Sequence, residues 1–164
     1  MDFNQWNMHD NEGRDRKKMR LTLHTDYALR VLVHVGLRGG ELVTINEIAE
    51  CYAISKNHLT KVVHQLGRSG FLETVRGKYG GVRLLARPET VRLGEFVRMV
   101  EDDFALARCM KDDDDGACRL TAACLAQDAF RKGLDAFFAA LDGYTLADMI
   151  EAERGASLKR VACS

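Results

Sequence analysis

The chain has 164 residues, enough for one domain with at most a small appended element, and 46% of them are hydrophobic, so a full core can be buried. Its 24 Lys and Arg balance 24 Asp and Glu, a zero net charge that by itself selects no partner. No apolar run approaches the ~18 residues needed to cross a bilayer and no signal-peptide core is visible, so a cytoplasmic protein with no membrane partner is expected, its five cysteines serving as metal ligands or redox thiols rather than structural disulfides.

Residues 1–18 are polar and aperiodic and read as a disordered N-terminal extension, with Met19 as an alternative first residue. From Met19 to Arg87 the cations are Arg20, Arg30, Arg38, Lys56, Lys61, Arg68, Arg76, Lys78, Arg83 and Arg87, against Asp26, Glu41, Glu47, Glu50 and Glu73. The bias reverses in Glu101, Asp102, Asp103 and the run Asp112–Asp115. A basic half followed by an acidic one suits a nucleic-acid binder with a separate regulatory element.

A first helix is predicted over about Thr25–Leu37, with Ala28, Val31, Leu32 and Val35 on one face and Gly39-Gly40 after its end. Thr44-Ile45-Asn46-Glu47 is a capping box that opens a second helix carrying Ile45, Ile48, Ala49 and Tyr52. After the short Ala53-Ile54 turn, Ser55 caps a third helix with Leu59, Val62, Val63 and Leu66 inward, and Gly70 closes it. Two short helices joined so tightly make a helix-turn-helix. On the second of them Asn57, Lys61, His64 and Arg68 share the outer face; such side chains reach base edges and phosphates in a major groove, although a solvated face also carries charges.

Phe71–Val75 and Val82–Leu85 read as two strands joined by Arg76-Gly77-Lys78-Tyr79-Gly80-Gly81. This glycine-rich hairpin, with Arg76 and Lys78 at its tip, is a wing; it matches neither nucleotide-phosphate pattern, because it joins strands instead of opening a helix. Pro88 then breaks the chain, and Thr90–Glu101 reads as an amphipathic helix with Leu93, Phe96, Val97 and Val100 inward. From Thr121 to Leu141 a long helix carries Phe130, Leu134, Phe137 and Leu141 at spacings of four and three. That seam could lie on its own domain, but a small winged helix leaves little surface for it, which favours a dimer contact. Thr145 is expected to cap a last helix from Leu146 to Glu151, followed by a flexible tail over 152–164.

The expected fold is therefore mainly α: a winged helix-turn-helix DNA-binding domain over 19–88, then a segment over 89–151 holding a cysteine-bearing loop and a long C-terminal dimerisation helix. In that loop Cys109, Cys118 and Cys124 fall within CMKDDDDGACRLTAAC. Cys51 reads as a small packed residue and Cys163 as a bystander. Structural zinc sites use close cysteine pairs, which this spacing lacks. Three soft thiolates on a loop suit an iron–sulfur cluster with a fourth ligand from elsewhere.

Met19-Arg20-Leu21-Thr22, Thr25-Asp26-Tyr27-Ala28-Leu29-Arg30, Ser55-Lys56-Asn57-His58-Leu59, Val75-Arg76-Gly77-Lys78-Tyr79-Gly80-Gly81 and the three cysteines together resemble the Rrf-two family of winged-helix iron–sulfur regulators, over Met19 to about Glu151. Asn57-His58, the wing and Tyr144-Thr145-Leu146-Ala147-Asp148 are similar to its nitric-oxide-sensitive repressors. The resemblance implies a homodimer on a palindromic operator, with one cluster per subunit, [2Fe-2S] or [4Fe-4S], ligated by Cys109, Cys118 and Cys124. In some members an Asp from the first helix of the partner subunit completes the ligand set, and Asp26 matches it; read locally, Asp26 is a helix-start residue favoured by the dipole. The resemblance also brings Ser55, Lys56, His58, Gly77 and Tyr79 into the DNA-binding set. Two departures leave the cluster type open: the acidic spacer between Cys109 and Cys118 is long, and no proline precedes Cys124. A regulator sensing iron, cluster status or oxidants is the nearest alternative, and a cluster-carrier or electron-transfer protein a more distant one. No paired nucleophile and base, nor any coherent acid–base site, suggests an enzyme.

Overall fold

The computed structural model describes residues 20–110 and 124–157. Helix α1 (Leu23–Leu37) begins two residues earlier than its apolar stripe suggests, because Thr22 caps it by accepting a hydrogen bond from the Thr25 backbone. Val31, Leu32, Val35 and Ala28 are buried on it as predicted. Helix α2 (Ile45–Tyr52) opens with the complete capping box: Thr44 accepts from the Glu47 N–H, and the Glu47 carboxylate accepts from the Thr44 N–H at 2.6 Å. Those bonds from Thr44 hold the Glu47 carboxyl below its ordinary value. The turn after α2 passes through Ala53 at φ 52°, which reverses the chain and buries Ile54 before Ser55 caps α3 (Lys56–Arg68).

Strands β1 (Leu72–Val75) and β2 (Gly81–Leu84) pair antiparallel, with Leu72 opposite Leu84 and Val75 opposite Gly81. Val43, in the α1–α2 connection, adds a bridge to Val82 that the sequence pattern did not announce. Gly81 permits it, since a Cβ there would lie 2.8 Å from the Val43 carbonyl oxygen. Leu59, Leu66, Ile48, Leu32 and Val82 are buried together, so α1, α2, α3 and the hairpin share one core.

The expected helix from Thr90 is shorter than its periodicity. Pro88–Thr90 form a 3-10 turn, and α4 spans Leu93–Val100. The backbone between them is extended because it is used elsewhere: the Val91 carbonyl accepts from Leu146 N–H and Leu93 N–H donates to the Tyr144 carbonyl, both at 2.9 Å. Helix α5 (Leu125–Asp142) starts one residue after Cys124, which is its N-cap; residues 121–123, where the sequence placed its first turn, lie outside the described residues.

The last helix is the clearest correction. Helix α6 (Leu146–Ser157) runs on through 152–157, where a tail was expected. Thr145 and Asp148 cap it reciprocally, which also holds the Asp148 carboxyl low. The helix formers Glu151, Ala152, Glu153 and Arg154 carry it onward. Its buried Leu146 and Ile150 turn back onto α1, where Gly36 leaves no room for a Cβ beside Ile150. The last helix thus completes the core of the DNA-binding unit instead of trailing from a separate one.

Candidate nucleic-acid interface and cysteine site

On α3 the inner side chains Leu59, Val62, Val63 and Leu66 are at most 4% exposed, and the outer ones Lys56, Asn57, His58, Lys61, His64 and Arg68 are all exposed. The predicted face is present as a face. Ser55 Oγ is engaged as the cap, accepting from the His58 N–H at 3.4 Å. Two contacts fasten this helix to α1. The His58 ring lies 6.1 Å from that of Tyr27, and His24 hydrogen-bonds Gln65.

The wing tip runs from Arg76 to Gly80, between Val75 and Gly81 of the strands. Gly77 sits at φ +114°, a backbone region that side chains disfavour, and it turns the tip. Arg76 and Lys78 are exposed, and Tyr79 is 83% exposed with the Lys78 ammonium 5.5 Å from its ring centre. The remaining strand charges pair with each other: Arg83 and Glu73 face across the hairpin at 2.8 Å. Two basic elements, one helix and one glycine-turned hairpin, are therefore carried on one compact core.

The second candidate site lies at the opposite end of α5 from its anchor. Near its C-terminus α5 is fixed to α4: Arg98 binds Asp142 through two hydrogen bonds of 3.0 and 2.8 Å and covers the Phe138 ring at 4.1 Å. The Arg98 guanidinium holds the Asp142 carboxyl below its ordinary value. Phe104 stacks edge-on against Phe138 at 4.8 Å, which turns the chain leaving α4 onto α5. From there it reaches Cys109, whose carbonyl accepts a 2.9 Å hydrogen bond from Gln127 Nε2, on the first turn of α5. Cys124 caps that same turn. Cys109 and Cys124 are thereby drawn to one helix end, both free and both half-buried. Gln127 was not singled out in the sequence, because nothing local marks a glutamine that binds a backbone 18 residues away.

Of the two other expected ligands, only Asp26 falls among the described residues. Cys118 lies outside the described residues, and among the described residues no cluster of three metal-ligating side chains forms. Asp26, on α1, pairs with Arg30 at 2.9 Å and is partly exposed. Cys51 is disulfide-bonded and half-buried, not the free packed thiol that its helix position suggested. Along α5 the expected seam divides. Of its four residues, Leu134, Phe137 and Leu141 lean partly on the core and Phe130 is 41% exposed; the buried residue of α5 is Phe138, alongside the seam, and Leu125 is 81% exposed.

A helix-turn-helix with a basic outer face, followed by a basic wing, is the arrangement of a DNA-binding transcription regulator. Residues 21–152 match the Rrf2 family, described as an iron-dependent transcriptional regulator, and the chain belongs to that family. It is 46% identical over 134 residues to the HTH-type transcriptional regulator NsrR of Bacillus subtilis, covering 81% of this chain and 91% of that one. It is 42% identical to the NsrR of Geobacillus kaustophilus over 81% and 90%. Among solved structures its fold is similar to T. potens IscR, at a TM-score of 0.65 and 20% identity over 83% and 89% of the two chains. It is likewise similar to CymR of B. subtilis, at 0.64 and 20% over 82% and 98%.

Proposed function

We propose that the protein is a homodimeric, nitric-oxide-sensing iron–sulfur repressor. The observation that carries this reading is the Gln127–Cys109 bond, which brings the backbone of one free cysteine to the helix end that begins at another, Cys124, in a chain that also carries a winged helix. The donor set fits the cofactor: soft sulfur ligands, half-buried, at a helix N-terminus whose dipole favours the negative charge of a cluster–thiolate group. Cys109, Cys118 and Cys124 would hold one cluster per subunit, with Asp26 of the partner subunit as fourth ligand. When bound, the cluster would supply iron able to react with nitric oxide, and its loss would release the thiolate and carboxylate ligands.

The chain's own residues carry that loss to DNA. Asp26 lies two residues after His24 and next to Tyr27, the two α1 residues that contact Gln65 and His58 of α3. A change in what Asp26 binds therefore moves the helix on which α3 rests. The exposed Leu125, Ala126, Ala129, Phe130 and Gly133 on α5 supply a mostly small-residue surface, uncovered among the described residues, for the second subunit. A dimer presents two copies of α3 to a palindromic operator, and ligand loss alters their spacing.

The test is anaerobic purification, iron and sulfide counting, and operator binding before and after stoichiometric nitric oxide. Tight binding by the loaded protein and loss of about 2–3 decades after nitric oxide are expected, a change of a few kcal/mol. Equal binding by loaded and apo protein, or a colourless protein holding zinc, overturns the reading. The iron-dependent description of the family favours one second reading, in which iron supply is the signal. Binding that follows iron availability and ignores nitric oxide would select it.

A further inference from the structure

Thr60 lies on the basic face of α3 but has no assigned part in it. It follows Asn57 by three residues and precedes His64 by four, spacings that put all three on one side of a helix, and it is exposed. Its hydroxyl is already committed: Oγ1 donates to the Lys56 carbonyl at 2.8 Å. That bond turns the oxygen onto the helix's own backbone and fixes the side-chain rotamer. The group left to meet a groove is the Cγ2 methyl, placed among side chains that read polar base edges.

We propose that Thr60 reads a thymine in each half-site, its methyl packing against the C5-methyl group of the base. The major groove presents that methyl only at thymine, and a threonine methyl is one of the apolar groups suited to it. Asn57, Lys61 and His64 supply the polar and charged contacts around it, and Thr60 makes one position selective for T over C without spending a hydrogen bond. A fixed rotamer also means that little freedom is lost on contact. The inference rests on α3 being the helix that enters the groove.

The experiment uses a duplex selected by the full-length protein from a randomised pool, with each thymine replaced singly by uracil, which lacks only the methyl. At one position per half-site, uracil is expected to weaken the wild-type protein about 4-fold, the worth of one buried methyl group, and about 15-fold when both half-sites carry it. Thr60→Val keeps the methyl and should behave as wild type on both duplexes. Thr60→Ser keeps the hydroxyl, should bind the thymine duplex about as weakly as wild type binds the duplex with uracil in both half-sites, and should lose nothing further on uracil. A Thr60→Ser protein that retains the full uracil penalty at every position overturns the proposal. So does a Thr60→Val protein that fails as Thr60→Ser does, since the hydroxyl would then be the reading group. If wild type selects no duplex at all, it is the DNA-reading role of α3 that falls, and the inference with it.

Discussion

Replacing Lys78 with alanine tests whether the wing tip touches DNA, and the salt dependence of binding reads the answer. The exposed cations of the candidate interface are Lys56, Lys61 and Arg68 on α3 and Arg76 and Lys78 on the wing. If each neutralises one phosphate, a dimer makes about ten contacts and log K falls against log salt with a slope of about −9. Between 50 and 200 mM salt that amounts to about five decades of affinity. Lys78→Ala removes one contact per subunit, so the slope should fall to about −7, with affinity reduced alike on operator and unrelated duplexes. Lys132→Ala is the control, because Lys132 lies on α5 and pairs with Asp128 at 2.7 Å, away from α3 and the wing. Fluorescence anisotropy over a salt series measures both. An unchanged slope for Lys78→Ala, or a change in Lys132→Ala equal to it, refutes the assignment of the wing to the interface.

Three other perturbations act on the scaffold and the cysteine site. Phe138→Ala removes the ring gripped by Phe104, Phe137 and Arg98 and should cost about 3–5 kcal/mol in chemical denaturation; a loss below about 1 kcal/mol would mean that α5 is not anchored through it. Gln127→Ala frees the Cys109 carbonyl and should lower bound iron after anaerobic reconstitution while leaving the far-ultraviolet circular dichroism unchanged; equal iron retention would show that the bond does not shape the site. His34 is buried, packs edge-on against Tyr52, and has no partner for Nε2 among the described residues. Burial first, and then the Arg38 charge, lower its pKa, with Glu47 opposing. The unfolded side chain titrates near about 6.5, so below that pH the unfolded state takes up a proton that the folded state refuses. Stability should therefore fall as pH drops through about 6.5, by up to about 1.4 kcal/mol per pH unit until the folded pKa is reached. His34→Phe should flatten that slope, and an unchanged slope assigns it to another group.

Where contacts are local in sequence, the chain could be read directly. The Thr44–Glu47 box, the Ser55 cap and the Leu59/Val63/Leu66 stripe each depend on residues three or four apart, and each stands where the pattern placed it. The elements that differ are governed by distant partners. Val91–Arg92 leaves its helical pattern because the Leu146 N–H claims the Val91 carbonyl and the Tyr144 carbonyl claims the Leu93 N–H, bridging Arg92 to Thr145. Glu151 does not end α6, because that helix has α1 to lie against. The seam on α5 looked uniform from its spacing, but Phe104, which no periodicity links to it, packs on Phe138 alongside the seam, and Phe130 is left exposed. The cysteine site divides in the same way: thiol spacing suggested a loop, whereas the bond that closes it comes from Gln127.

These distant contacts converge on α1. Helix α5 packs on α4, α4 packs on α1, and α1 packs on α3. The chain entering the cysteine loop leaves from the end of α4, where Glu101 accepts a hydrogen bond from the Thr22 backbone at the cap of α1. Two and five residues on, His24 and Tyr27 contact α3, and at the far end of α1 Gly36 seats Ile150 of α6. A displacement at the loop thus meets a helix pinned at its C-terminal end by close packing and tied at its N-terminal end by hydrogen bonds and a ring contact. If loss of the proposed cluster displaces the loop, the N-terminal end of α1 is the end it reaches first, through the Glu101 contact at Thr22, and that end also carries the His24 and Tyr27 contacts to α3.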